Sequence, residues 1–227
     1  MKNQRHSYLL RTHLLRMAML SQRAVDFAIK AQAFGASKIY RRFCLYDKEW
    51  RSLQRCIGER GRRLYASGMP VDADSTGADA ALRIYSALYV TYTAACEIAH
   101  IGAQMVEREL QTPSGCLGEI ALFINRRVRL CTVALFQKDL QHARTILHDH
   151  PGWRWCELPL CRTHSLLMQK SEEQTRHTLV IARALGQIAE QAYEIAQATP
   201  LWLETYKSIG SAPEWKCSAA PIARNIA

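Results

Sequence analysis

The chain lacks an apolar stretch long enough to cross a bilayer. The longest uncharged run in its apolar middle, Ile84 to Cys96, is 13 residues and includes Ser86, Thr91 and Thr93, whereas a spanning helix needs roughly 20. It does not open like a secretory signal either, because Arg11, His13 and Arg16 interrupt the apolar N-terminal residues. Its eight cysteines contain no C-x-x-C pair: Cys156 and Cys161 lie close together and the others are scattered. That spacing gives no metal or dithiol signature and implies reduced, half-buried helix residues in a cytosolic protein. A Gly-rich phosphate loop and a nucleophile–base signature are both missing. No period-two alternation or hairpin turn marks a strand, and no helix-turn-helix emerges, since every predicted loop joins long bundle helices. Acidic charge is scarce as well. The 20 Asp+Glu against 30 Lys+Arg give a net charge of +10, and the excess is +7 up to Leu110 against +3 beyond it. A basic surface suits anionic partners: phosphate-rich ligands, nucleic acid, acidic protein faces or anionic lipid. The reading is a soluble, cytoplasmic protein.

Helical periodicity fills the space these absences leave. In LVIARALGQIAEQAYEIAQA, Leu179 to Ala198, the residues Ile181, Leu185, Ile188, Ala192 and Ile195 recur at intervals of four and three, a narrow seam for packing on other helices. A first helix is expected from Tyr8 to Ala33, with Met17, Leu20, Ala24, Phe27, Ala31 and Phe34 on one stripe and Gly35 as its stop. A second carries Ile39, Phe43, Tyr46, Trp50, Leu53 and Ile57 and runs out near Gly68, where SGMPVDADSTGAD reads as a loop. The third spans about Ala80 to Leu110, with a seam of Ile84, Leu88, Thr91, Ala95, Ile98, Gly102 and Met105, and QTPSGCLG at 111–118 is the candidate linker.

The second half repeats this plan. Leu185 and Ile188 stand 87 residues after Ile98 and Ile101, and the gap of 13 from Phe34 to Asp47 recurs from Phe136 to Asp149. Trp50 lies three residues past the first Asp and Trp153 four past the second. Helices are therefore expected at about Glu119–Gln137, Leu140–Met168 and Glu172–Ala198. The fifth departs from the pattern, because Pro151-Gly152 and Pro159 fall inside it and an interior proline costs about 3 kcal/mol, so a kink or break belongs near His150. The expectation is an all-α protein of two tandem three-helix bundles, with repeats at 8–110 and 117–207 and a C-terminal tail at 208–227.

These residues carry a resemblance. SQRAVDFAIKAQAFGASKIYRRFCLYDKEWRSLQRCI, a loop, and a helix ending EIAHIGAQMVEREL look like one repeat of the PhoU family of bacterial phosphate-signalling proteins. The second half looks like the other, closing with ARALGQIAEQAYEIAQ. The resemblance covers about Tyr8 to Leu203. It implies a non-catalytic cytoplasmic adaptor between a phosphate transporter complex and a sensor histidine kinase, repressing phosphate-starvation genes when phosphate is plentiful, and it leaves a homodimer open. Many members bind metal through carboxylate pairs, four residues apart, on the third and sixth helices. Matching Ile101-Gly102 to the family's Ile-Gly puts Ala99 and Ala103 at the first pair, and Gly186 and Glu190 at the second. Three of the four acids are absent, and shifting the register to Glu97 leaves Ile101 at the second position. No cofactor is expected.

Other constellations are sparser. Glu190 and Glu194 lie one turn apart on one face, within reach of a single hard cation, or else they form an ordinary solvated face. Glu97 and His100 have the Glu-x-x-His spacing of di-iron bundles, but the sixth helix offers no matching histidine. His148-Asp149-His150 converge only if Pro151 ends the helix there, and otherwise form a surface turn. Arg126, Arg127 and Arg129, and separately Arg60, Arg62 and Arg63, are candidate partner-binding clusters for phosphate groups or an acidic protein patch. The alternatives to a phosphate-signalling adaptor are a basic helical regulator that binds nucleic acid, which ranks below protein contact, and a metal-dependent helical-bundle protein.

Overall fold

The computed structural model describes residues 2–34, 46–59, 75–110, 116–148 and 171–208. Their regular structure is entirely α-helical: α1 Lys2–Phe34, α2 over 46–59, α3 Ser75–Glu107, α4 Cys116–Gln137, α5 Leu140–His148 and α6 Glu172–Ser208, with no strand among the described residues. The candidate linker residues 111–115, the segment 149–170 with Pro151, Trp153, Cys156, Pro159 and Cys161, and the tail from 209 lie outside the described residues.

Local chemistry sets several of the helix ends. Ser171 N-caps α6: its hydroxyl accepts the Gln174 N–H at 3.3 Å, and Glu172 and Glu173 occupy the positive end of the helix dipole. Asp139 N-caps α5 by accepting the Gln141 N–H at 2.8 Å, and its other oxygen meets His142 Nδ1 at 2.8 Å. The preceding Lys138 takes a positive φ of 56°, which turns the chain from α4 into α5 within two residues. α3 ends in a Schellman arrangement. Leu110 N–H bonds the Met105 carbonyl at 2.8 Å, Glu109 N–H bonds that of Val106 at 3.1 Å, and Glu109 sits at φ 54°.

Packing follows the apolar seams. α3 and α6 share the most extensive helix–helix contact and run antiparallel, since Arg83 meets Glu194 at one end and Arg108 meets Glu173 at the other. Ala95, Ile98 and Ala99 on α3, with Ala184, Leu185, Ile188, Ala189 and Ala192 on α6, are buried, and their small side chains let the two backbones approach closely. α1 packs on α3, where Ser21 donates a hydrogen bond to the Leu88 carbonyl. α2 closes that set through stacked Trp50–Tyr92 and Phe27–Tyr46 rings, with centroids 4.1 and 5.7 Å apart. α4, α5 and α6 contact one another as the second set. The all-α fold is thus two three-helix groups joined along α3–α6 and α1–α4.

Four helices run beyond their sequence-predicted ends. α1 starts at Lys2 rather than Tyr8, α3 at Ser75 inside the stretch read as loop, and α4 at Cys116 inside the candidate linker, while α6 continues past Ala198 through Pro200 to Ser208. The proline costs about 3 kcal/mol, but buried Trp202 and Leu203 lie just beyond it and offset this by about 1.5–3 kcal/mol or more each. α5, expected to break near His150, is described as helix up to His148.

Candidate functional site

α6 buries Ile181, Leu185, Ile188, Ala192 and Ile195, so residues off this seam face outward. Glu190 is exposed and Glu194 half-exposed. The Glu194 carboxylate accepts a hydrogen bond from Arg83 Nη2 at 2.9 Å, and the same nitrogen donates to Gln197 Oε1 at 3.2 Å. A cation binding Glu194 would therefore compete with a guanidinium already in place. The other family carboxylate positions offer no oxygen. Ala99 is buried, Ala103 is half-buried, and at half-buried Gly186 an added Cβ would meet nothing within 4 Å. These residues do not fit the multi-carboxylate metal centre that the PhoU resemblance implies. Among the described residues, no three His, Cys, Asp or Glu side chains are grouped to hold a metal. Glu97 and His100 are exposed, with His100 Nε2 3.0 Å from Gln104 Nε2. His148 is exposed, and Asp149 and His150 lie outside the described residues.

The arginine cluster on α4 is split by helical rotation. Arg126 and Arg129 are exposed on one side, and Arg129 Nη2 lies 3.5 Å from Asp26 of α1, which also accepts from Asn125 Nδ2 at 2.6 Å. Arg127 points the other way: it is only 3% exposed, with its guanidinium 4.8 Å from the Phe123 ring centroid. Arg60, Arg62 and Arg63 lie outside the described residues.

Sequence reasoning passed over the apolar side chains beside those arginines. Leu122, Phe123 and Phe136 are exposed at 65%, 39% and 45%. The signal was present in CLGEIALFINRRVRLCTVALFQ, which holds more large apolar residues than the buried seam of Leu117, Ile120, Ile124, Val128, Cys131 and Leu135 can use. His177 was also missed. It is buried at the α6 N-terminal end, its Nδ1 has no hydrogen-bond partner among the described residues, and burial, then Arg108 and Arg176, push its pKa down. Two thiols are held protonated. Burial pushes Cys131 up to about 12, with its Sγ donating to the Ala192 carbonyl at 3.0 Å. Burial, reinforced by nearby Asp47, pushes Cys96 up to about 12. Neither has the lowered pKa of a nucleophilic cysteine.

No protein-family model matches the chain, and no curated protein matches it. A solved structure, PhoU from Pseudomonas aeruginosa, superposes with a TM-score of 0.75 at 21% identity, covering 88% of this chain and 97% of its own. This chain has the PhoU fold. At that identity the likeness concerns architecture: a PhoU-like, all-helical molecule. No described helix is long and apolar enough to cross a membrane.

Proposed function

We propose that this protein is a divergent member of the PhoU family, a cytoplasmic regulator of phosphate uptake and phosphate-starvation signalling. It acts as a protein-contact adaptor between a phosphate transporter and a sensor histidine kinase. The observation that carries this reading is the match to PhoU from Pseudomonas aeruginosa over 97% of that chain, together with the repeat layout of residues 8–110 and 117–207. The described residues also favour contact over chemistry. The Cys96 and Cys131 thiols are held protonated, Ala99 and Ala103 of α3 carry no carboxylate, and Arg126 and Arg129 present exposed guanidiniums. Metal is not part of the proposed mechanism, because Glu190 and Glu194 alone would leave most of a calcium shell to water.

The test is direct binding. Full-length protein is mixed with the cytoplasmic portion of the host's phosphate-sensing kinase, and separately with the ATPase subunit of its phosphate transporter. Co-elution with at least one is the expected result. Failure to bind either, at micromolar protein and physiological salt, would remove the adaptor role.

A further inference from the structure

The outward face of α4 has the composition of an interface. Leu122, Arg126, Arg129, Val133 and Phe136 are spaced four, three, four and three, which places them in one arc about 100° wide and about 21 Å long. Phe123 lies outside it, about 100° round the helix from Leu122. Leu122, Phe123, Arg126, Arg129 and Phe136 are exposed and Val133 is half-buried, although α4 buries a complete seam on its other side. Arg127, buried beneath, stacks its guanidinium on Phe123.

We infer that this face is a docking site for an acidic amphipathic helix of a partner protein. The inference rests on the protein-contact reading above and specifies its chemistry. Charge complementarity selects the occupant. α4 carries three arginines and one glutamate, and the two outward guanidiniums occupy the middle of the arc with apolar side chains at both ends. The Arg129 side chain is 59% exposed, whereas its carboxylate partner Asp26 is 17% exposed, so the face offers N–H donors outward. A helix with apolar residues at intervals of three and four and carboxylates between them would seat on Leu122 and Phe136 while accepting from both arginines. A second copy of this chain is the wrong occupant, because a two-fold contact through this face sets arginines against arginines. A flat anionic membrane fits less well, since it would press the central arginines to the same depth as Leu122 and Phe136.

The experiment places the photo-cross-linker p-benzoylphenylalanine at Leu122 in the full-length protein in its host, with exposed Arg144 of α5 as the control site. The expected product is one hetero-adduct, absent from the Arg144 control, whose cross-linked segment is helical in pattern and bears at least two carboxylates. Arg126→Glu should reduce its yield about ten-fold and Arg126→Lys much less, with melting curves confirming that both variants fold. Replacing the partner's carboxylates with lysine should restore capture by Arg126→Glu. An adduct to a second copy, an adduct indifferent to charge reversal, or sedimentation of the protein with phosphatidylglycerol vesicles in its place would each overturn the inference. So would no Leu122-specific adduct. A specific acidic partner unrelated to phosphate control would support the docking face and contradict the proposed function. Phosphate-system binding that survives Arg126→Glu with no Leu122 adduct would do the reverse.

Discussion

Glu109 ends α3 in the left-handed region at φ 54°, where a residue with a Cβ is strained by about 1–2 kcal/mol. Its negative charge also lies near the negative end of the α3 dipole. Glu109→Gly removes both penalties against a larger unfolded-state entropy, so chemical denaturation should show a gain of up to about 1 kcal/mol. A loss would mean that Glu109 makes a contact worth more than its strain. His177 gives a pH dependence. Its folded pKa lies below the ordinary 6.5, so as pH falls through 6.5 the unfolded chain takes up a proton that the folded chain refuses, and stability falls. Melting temperature should decline across that interval, and His177→Gln should flatten part of the slope. Cys131 acts at the other end. With an ordinary thiol value of 9 and a folded value of about 12, its contribution is complete below pH 9 and is lost as pH rises toward 12. Alkylation of Cys131 at pH 8 should therefore require unfolding.

At the scale of elements, the α3–α6 pair is the structural centre, and its seam was the most legible feature of the sequence. Ile181, Leu185, Ile188, Ala192 and Ile195 are all buried, as are Ile84, Leu88, Ala95, Ile98 and Met105 opposite, because a helix packed on one side records that side as a period of three and four. Thr91 keeps its place in that seam by donating to the Ala87 carbonyl at 2.8 Å. Leu185→Ala should cost about 2–5 kcal/mol, and an unchanged denaturation midpoint would show that the seam is not the core. Gly186 lies beside it with room for a Cβ, so Gly186→Ala should raise stability by about 0.5–1 kcal/mol. The arginine run was less legible. Three arginines within four residues read as one cluster, but each residue turns about 100° around the helix, which sends Arg127 inward and leaves Arg126 and Arg129 outside. α1 hides Leu14, Ala18, Val25 and Ala28 beyond its predicted stripe because it packs on both α3 and α4. A narrow periodicity cannot anticipate a helix with two neighbours.

For the whole molecule, the architecture matches that of a PhoU structure at 21% identity, because similar buried apolar spacing can be built from different residues. A multi-carboxylate metal centre of the kind the resemblance implies has no such tolerance, and Ala99, Ala103 and Gly186 leave only Glu190 acidic among its four positions. Purified protein is expected to contain no stoichiometric iron, zinc, manganese or calcium. Elemental analysis showing one metal per chain, lost on Glu190→Ala, would contradict that. If regulation runs through protein contact instead, it should persist without the metal. The most direct measurement is a phosphate-starvation reporter followed in the host at high phosphate, with the gene deleted and then restored. Deletion should give strong reporter expression, and the restored wild-type gene and Glu190→Ala should silence it equally. A reporter that stays silent after deletion would contradict the adaptor role.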